Sequence, residues 1–156
     1  MKVDLKNKIA LVTGSTRGIG QAIALSFAEN GATVVVNGRN AERGKKVVEE
    51  INALGRESIF IRADMGDQEQ VNSMVTQIIE KFGRIDILVN NAGINVGKEG
   101  RVPVYEFTDA NWHRIINVDL NGVFYCSKAV AKHMVEQKSG KIINISSIVG
   151  IVPLRF

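Results

Sequence analysis

The sequence has few of the residues that build metal sites or covalent cross-links. It contains one cysteine, Cys126, and two histidines, His113 and His133. A single cysteine excludes an intramolecular disulfide and every zinc site that needs paired cysteines. The two histidines are too far apart to form a metal-binding pair on one helix, and neither has a ligand motif around it. We therefore predict that the protein binds no metal.

Long apolar runs and clusters of like charge are also missing. The longest apolar stretches are a handful of residues, too short to cross a membrane. Residues 1–8 contain nothing like the apolar core of a signal peptide. The net charge is +4, but the basic residues are dispersed, which does not favour nucleic acid as a partner. The composition predicts a globular protein in a reduced compartment such as the cytoplasm.

What the sequence does contain is a regular alternation of short apolar runs with amphipathic segments. The apolar runs predict strands at residues 9–12, 33–36, 59–61, 85–89 and 142–145. The amphipathic segments predict helices at residues 21–29, 41–54, 68–82 and 109–136, with Asn40 and Asp67 as caps of the second and third. Strands that are apolar throughout are typical of a parallel sheet covered on both faces. We predict a single α/β domain over residues 1–156 with a Rossmann-like, doubly wound sheet.

A glycine-rich segment joins the first predicted strand to the first predicted helix. It consists of Gly14, Ser15, Thr16, Arg17, Gly18, Ile19 and Gly20. Glycines at these places permit a tight turn, a close approach of backbone to a phosphate, and close packing of helix on strand. The helix N-terminus adds free N–H groups and a positive dipole end. An ordinary strand-to-helix turn is the alternative, but the agreement of loop, strand and helix favours a pyrophosphate site.

Further motifs follow this loop in order along the chain. They are Asp64 after the third strand, the turn of Asn90, Asn91, Ala92 and Gly93, Asn117 in the last helix, and the strand end of Asn144, Ile145, Ser146 and Ser147. With the Gly-x-x-x-Gly-x-Gly spacing, they resemble the short-chain dehydrogenase/reductase family over essentially the whole chain. Within that family they look closest to the branch of 3-oxoacyl-carrier-protein reductases and glucose dehydrogenases. The resemblance implies hydride transfer between NADP(H) or NAD(H) and a small ketone or secondary alcohol, such as a 3-oxoacyl thioester, by a homotetramer or dimer.

The residues after the second strand bear on the choice of cofactor. An NAD site usually has an acidic residue there to accept from the ribose 2′-hydroxyl, whereas this chain reads Asn37, Gly38, Arg39. Arg39 and Arg17 are suited to a 2′-phosphate through charge-assisted bonds, a role that the resemblance also gives them. We therefore predict NADP(H), with NAD(H) as the alternative.

The resemblance assigns the remaining site residues. Asp64 would accept from the adenine amino group, with its neighbour Met65 beside the cofactor; a loop or capping carboxylate is the alternative. Asn90 and Asn91 either brace the centre of the sheet or, with Ala92 and Gly93, border the ribose and nicotinamide.

Two residues are assigned to catalysis by the resemblance. Ser147 would hydrogen-bond the substrate oxygen, and the alternative is a strand-end serine satisfied by backbone. Asn117 would hold a water of a proton relay, and the alternative is a surface asparagine. Asparagine is a poor helix former, which suggests a local kink at this position.

The family's proton donor is missing from the sequence. The resemblance places a Tyr-x-x-x-Lys segment beyond Phe156, so we expect residues 1–156 to be the N-terminal part of a longer protein without the family's C-terminal strands and helices. The fifth strand would then be an open apolar edge. Serine and asparagine supply no group that titrates near neutrality, and we expect these residues alone to be inactive. The alternative function is a non-catalytic dinucleotide-binding fragment or a pseudoenzyme.

Overall fold

The computed structural model describes residues 3–97 and 100–147, which form one parallel sheet with helices on both faces. The strands are β1 (Ile9–Val12), β2 (Thr33–Gly38), β3 (Ser58–Arg62), β4 (Ile87–Asn90) and β5 (Lys141–Asn144). The helices are α1 (Gly18–Glu29), α2 (Ala41–Ala53), α3 (Gln68–Phe82), α4 (Asp109–Ile115) and α5 (Gly122–Glu136). The strands lie in the order β3-β2-β1-β4-β5 and every pairing is parallel. This confirms the predicted doubly wound sheet.

Alternate residues of β1, β2, β3 and β4 enter two separate cores. Leu11, Val35 and Leu88 pair across the sheet and point to the face covered by α3 and α5. Val12 and Val36 point to the opposite face, which α1 and α2 cover. Because both faces are buried, the strands carry apolar residues at successive positions rather than at every second one. The same feature made the strands recognisable in the sequence.

The two predicted N-terminal helix caps are present in the structure. The Asn40 side chain accepts from Arg43 N at 2.9 Å, and Asp67 accepts from the backbone N–H groups of Glu69 and Gln70. Both caps satisfy donors that the first turn leaves without an intrahelical partner. The hydrogen bonds from Gln70 and Glu69 also hold the pKa of Asp67 below its ordinary value, because they favour the charged carboxylate.

One prediction was wrong: residues 109–136 do not form a single α-helix. A π-helical turn, Ile116–Asn121, separates α4 from α5. The turn lies against the segment after β3, since a Cβ built on Gly66 would be 3.4 Å from the Asn117 Cβ, and one built on Gly122 would be 2.7 Å from the Met65 carbonyl oxygen. The wider turn shifts the helical register between α4 and α5. Asn117 therefore lies at an irregularity of the helix, which takes the form of a π-helical turn.

The last strand of the sheet is incompletely covered. Ile142 and Ile143 of β5 are 38% and 42% exposed, and within the described residues β5 pairs with β4 alone. The apolar segment 148–154 lies outside the described residues. The open apolar edge expected from the sequence is therefore present in this part of the chain.

Candidate functional site

The glycine loop lies between β1 and the N-terminus of α1, at the carboxyl edge of the sheet. Gly14 has φ of 63° and Gly18 has φ of 58°, the left-handed region that glycine adopts without strain. A Cβ on Gly14 would lie 2.8 Å from the Ala92 Cα, and one on Gly20 would lie 2.4 Å from Asn91 Nδ2. These two glycines let the loop press against the turn after β4.

Gly18 differs from the other two glycines of the loop. Apart from its chain neighbours and the backbone of its own helix, a Cβ built there would meet no described atom within 4 Å. Its backbone opens into the cleft beside the loop, and the first turn of α1 carries no acidic residue. The position therefore suits an anion that approaches the backbone closely.

The loop is held in place by a buried polar network that reaches β2. The Ser15 hydroxyl donates to the Val12 carbonyl at 2.7 Å and accepts from Asn37 N at 3.0 Å. The Asn37 Oδ1 accepts from Gly14 N at 3.2 Å, and its Nδ2 donates to the carbonyls of Ile61 and Ala63. The Ser15 side chain is thus hydrogen-bonded to backbone groups and does not line the cleft. Asn37 ties the loop to β2 and β3, a role that sequence reasoning missed; the only signal was a polar residue at the end of a buried strand.

A second network fixes the turn after β4 against the loop. The Thr13 hydroxyl donates to the Val89 carbonyl and accepts from the N–H groups of Asn91 and Ala92, both at 3.0 Å. The Asn91 Nδ2 donates to the carbonyls of Thr13 and Gly14 at 2.9 and 3.3 Å. Asn91 therefore braces the loop while it also lines the cleft. Thr13 was not singled out in the sequence.

Asn90 has a different environment from its neighbour. It is 3% exposed, and its Nδ2 donates to Ser127 Oγ and to Asn144 Oδ1, each at 2.9 Å. It joins β4 to β5 and α5 and does not line the cleft. Asn90 therefore braces the sheet, whereas Asn91 braces the glycine loop and lines the cleft.

These elements enclose an open cleft of about 470 Å³ along the carboxyl edge of the sheet. Its volume lies in the range of small-molecule sites. Its lining comprises Gly14, Thr16, Arg17, Gly18, Ile19, Gly20, Asn37, Gly38, Arg39, Asn40, Arg43, Ala63, Asp64, Met65, Asn91, Ala92, Gly93, Ile94 and Val118. Most of the predicted cofactor residues are thus brought together.

One end of the cleft is strongly charged. Arg39 Nη1 lies 3.3 Å from Asp64 Oδ2, while Asp64 Oδ1 accepts from Gly66 N at 3.0 Å. Arg17 and Arg43 line the same cleft. Asp64 therefore acts as a loop carboxylate and as an ion-pair partner, and both roles leave it at the cleft wall. Arg43, in the first turn of α2, was missed because nothing in the sequence separates it from the other basic residues of that helix.

The two predicted catalytic residues lie outside the cleft lining. Asn117 is in the π-helical turn, where its Oδ1 accepts from Asn121 Nδ2 at 2.9 Å. Ser147 follows β5, which places it at the same carboxyl edge as Asn91 because the strands are parallel. Asp119 of the same π-helical turn accepts from Ile94 N at 2.9 Å and so ties this turn to the segment after β4.

Three further features of the described residues concern metal ligands, membrane spans and the cysteine thiol. Within residues 3–97 and 100–147, no three His, Cys, Asp or Glu side chains are grouped as metal ligands. In the same residues, no helix is both long and apolar enough to span a bilayer. Cys126 is fully buried, and burial raises the pKa of its thiol to about 12, so the thiol stays protonated at neutral pH.

Comparison with known proteins identifies the architecture. The family model described as short chain dehydrogenase matches residues 8–156. Among curated relatives, a (2S)-[(R)-hydroxy(phenyl)methyl]succinyl-CoA dehydrogenase subunit, BbsD, of Thauera aromatica is 46% identical over 92% of this chain and 56% of its own length. The 3-oxoacyl-[acyl-carrier-protein] reductase FabG of Staphylococcus aureus is 42% identical over 93% of this chain and 58% of its own length.

Solved structures agree with the curated relatives. A metagenomic short-chain oxidoreductase in complex with NADP is 36% identical with a TM-score of 0.91, over 96% of this chain and 66% of that one. An NAD+-bound xylitol dehydrogenase is 31% identical with a TM-score of 0.89, over 96% of this chain and 56% of that one. The chain spans somewhat more than half the length of the curated relatives it matches. The chain belongs to the short-chain dehydrogenase family, as its motifs predicted.

Proposed function

We propose that this family member is the dinucleotide-binding part of an NADP-dependent oxidoreductase that interconverts a ketone and a secondary alcohol. The observation that carries the proposal is the cleft, whose lining combines an open Gly18 at a helix N-terminus with three arginines. A backbone anion site and a second cationic site in one cleft suit a dinucleotide with an extra phosphate. The two kinds of cofactor-bound relatives bind NADP and NAD, so the choice between them is part of the proposal.

The binding roles follow from the positions along the cleft. The backbone of the glycine loop holds the pyrophosphate, and Arg17 and Arg39 pair with the 2′-phosphate. Asp64 and Met65 border the adenine, while Asn91, Ala92 and Gly93 border the ribose and nicotinamide. When bound, the nicotinamide supplies or accepts the hydride.

Ser147 and Asn117 act on the substrate side of this site. We assign Ser147 a hydrogen bond to the carbonyl or hydroxyl oxygen of the substrate, a 3-oxoacyl thioester being one example. We assign Asn117 the water of a proton relay, and its place in a π-helical turn supports this because such turns frequently occur at functional sites.

The proton donor has to be another group, because neither serine nor asparagine titrates near neutrality. Residues 1–156 contain no Tyr-x-x-x-Lys sequence, so we expect these residues alone to bind NADPH without turning over a carbonyl substrate. A dinucleotide-binding module without catalysis is the second candidate function, which the same absence favours. The complete enzyme would be a homo-oligomer.

Arg39→Asp tests the cofactor assignment. The substitution replaces a cation beside the 2′-phosphate with a carboxylate that repels phosphate and accepts from a 2′-hydroxyl. We expect the ratio of NADPH to NADH affinity, measured by titrating cofactor fluorescence, to fall at least about tenfold, the equivalent of ~1.4 kcal/mol. Lys46→Glu is the matched control, since Lys46 is an exposed residue of α2 that does not line the cleft. An unchanged ratio in Arg39→Asp would contradict the proposal.

A further inference from the structure

Three arginines from two separate segments of the chain line the cleft. Arg17 belongs to the glycine loop, whereas Arg39 and Arg43 come from the end of β2 and the first turn of α2. The two segments are in contact, since a Cβ built on Gly38 would lie 2.6 Å from Thr16 Cγ2. The three arginines therefore line one cleft from segments that are in contact.

The three cations are not equally available to a ligand. Arg39 is paired with Asp64 at 3.3 Å, and this is the one carboxylate among the described residues that line the cleft. An anion that approaches Arg39 also approaches Asp64, so the attraction of one is largely offset by the repulsion of the other. No ion pair is formed by Arg43 or Arg17 with any carboxylate of residues 3–97 and 100–147.

The position of Arg43 is set by packing rather than by an ion pair. Its backbone N–H donates to the Asn40 side chain at 2.9 Å, which starts α2 at a defined residue. The next residue, Gly44, lies so close to Phe60 that a Cβ there would be 2.1 Å from the ring. Side chains of a helix lean toward its N-terminus, which directs Arg43 toward Gly38 and Arg39 at the cleft.

We propose that Arg43 is a determinant of cofactor specificity, and that it contributes more than Arg39 to the preference for a 2′-phosphorylated dinucleotide. The inference rests on the proposed NADP site and refines it. Arg43 brings an uncompensated positive charge to the phosphate, whereas Arg39 must be shared with Asp64. Arg39 has two roles: it holds the Asp64 carboxylate beside the adenine, and it binds the phosphate.

The test compares Arg43→Gln, Arg39→Gln and Lys46→Gln in fluorescence titrations with NADPH and NADH. Glutamine retains the helix propensity of α2 and removes one charge in each variant. We expect Arg43→Gln to lower the NADPH to NADH affinity ratio about tenfold, equivalent to ~1.4 kcal/mol, and Arg39→Gln to lower it less. Lys46→Gln should leave the affinity ratio unchanged. Higher salt should reduce the differences in this ratio between the variants, because it screens the charges.

A second comparison isolates the ion pair. In an Asp64→Asn background Arg39 is released from its partner, so Arg39→Gln should cost more NADPH affinity there than in the wild-type background. An effect of Arg43→Gln on the ratio no larger than that of Arg39→Gln would overturn the inference while leaving the NADP site intact. A wild-type protein that bound NADH as tightly as NADPH would instead overturn the proposed cofactor preference itself.

Discussion

Gly18→Ala separates the cost of strain in the glycine loop from the cost of blocking a ligand. Gly18 has φ of 58° and open space where a Cβ would lie. Gly55, beyond the end of α2, has φ of 72° and the same open space, but it does not line the cleft. An alanine in the left-handed region costs about 1–2 kcal/mol at either position. The two substitutions are therefore matched in strain and differ in what faces the new methyl group.

We expect the two variants to lose similar stability and to differ in binding. Each should lower the melting temperature by roughly 2–8 °C, since 1 kcal/mol corresponds to about 2–4 °C in a domain of this size. Gly18→Ala should also weaken NADPH binding at least about tenfold, because the methyl group holds the pyrophosphate away from the backbone N–H groups. Gly55→Ala should bind like the wild type. Equal affinities in the two variants, measured by isothermal titration calorimetry on folded protein, would refute a phosphate position beside Gly18.

Two further predictions concern the buried polar and thiol groups. Thr13→Val keeps the shape of the side chain but leaves the N–H groups after β4 without their acceptor, so it should cost about 1–3 kcal/mol of unfolding free energy in urea titrations. Thr76→Val, at an exposed position of α3, is the control and should cost little. Equal losses of unfolding free energy in the two variants would contradict the bracing role of Thr13. Burial raises the pKa of Cys126 from 9.0 to about 12, so between these values the unfolded chain has released a proton that the folded chain retains, and stability should fall with rising pH. The decline of stability with pH should be shallower in Cys126→Ala. Identical profiles of stability against pH for the variant and the wild type would contradict a role for the Cys126 thiol.

The helices and strands could be predicted because their signals are local. Strands β1 to β4 are buried on both faces, so their apolar runs are uninterrupted, and each cap is a side chain next to the turn that it closes. The π-helical turn could not be predicted in the same way. Its wider geometry accompanies contact with Met65 and Gly66, which are distant in sequence, and periodicity within the helix does not report such a contact.

The cofactor motifs were recognisable in the sequence, but the separate structural roles of their residues were not. Adjacent residues proved to have separate roles: Asn90 joins β4 to β5 and α5, while Asn91 holds the glycine loop. The motif places both at the end of a strand and does not say which partner each will meet. That depends on which neighbouring strand or loop comes within hydrogen-bond distance.

The sequence by itself determined the family, the doubly wound sheet and the place of the glycine loop, because spacing and apolar patterning are properties of neighbouring residues. Only the tertiary structure decided how the charges at the cleft are distributed. It pairs Arg39 with Asp64 and leaves Arg43 and Arg17 without a carboxylate among the described residues. The strength of an ion pair depends on the distance between groups that are far apart along the chain, and folding sets that distance.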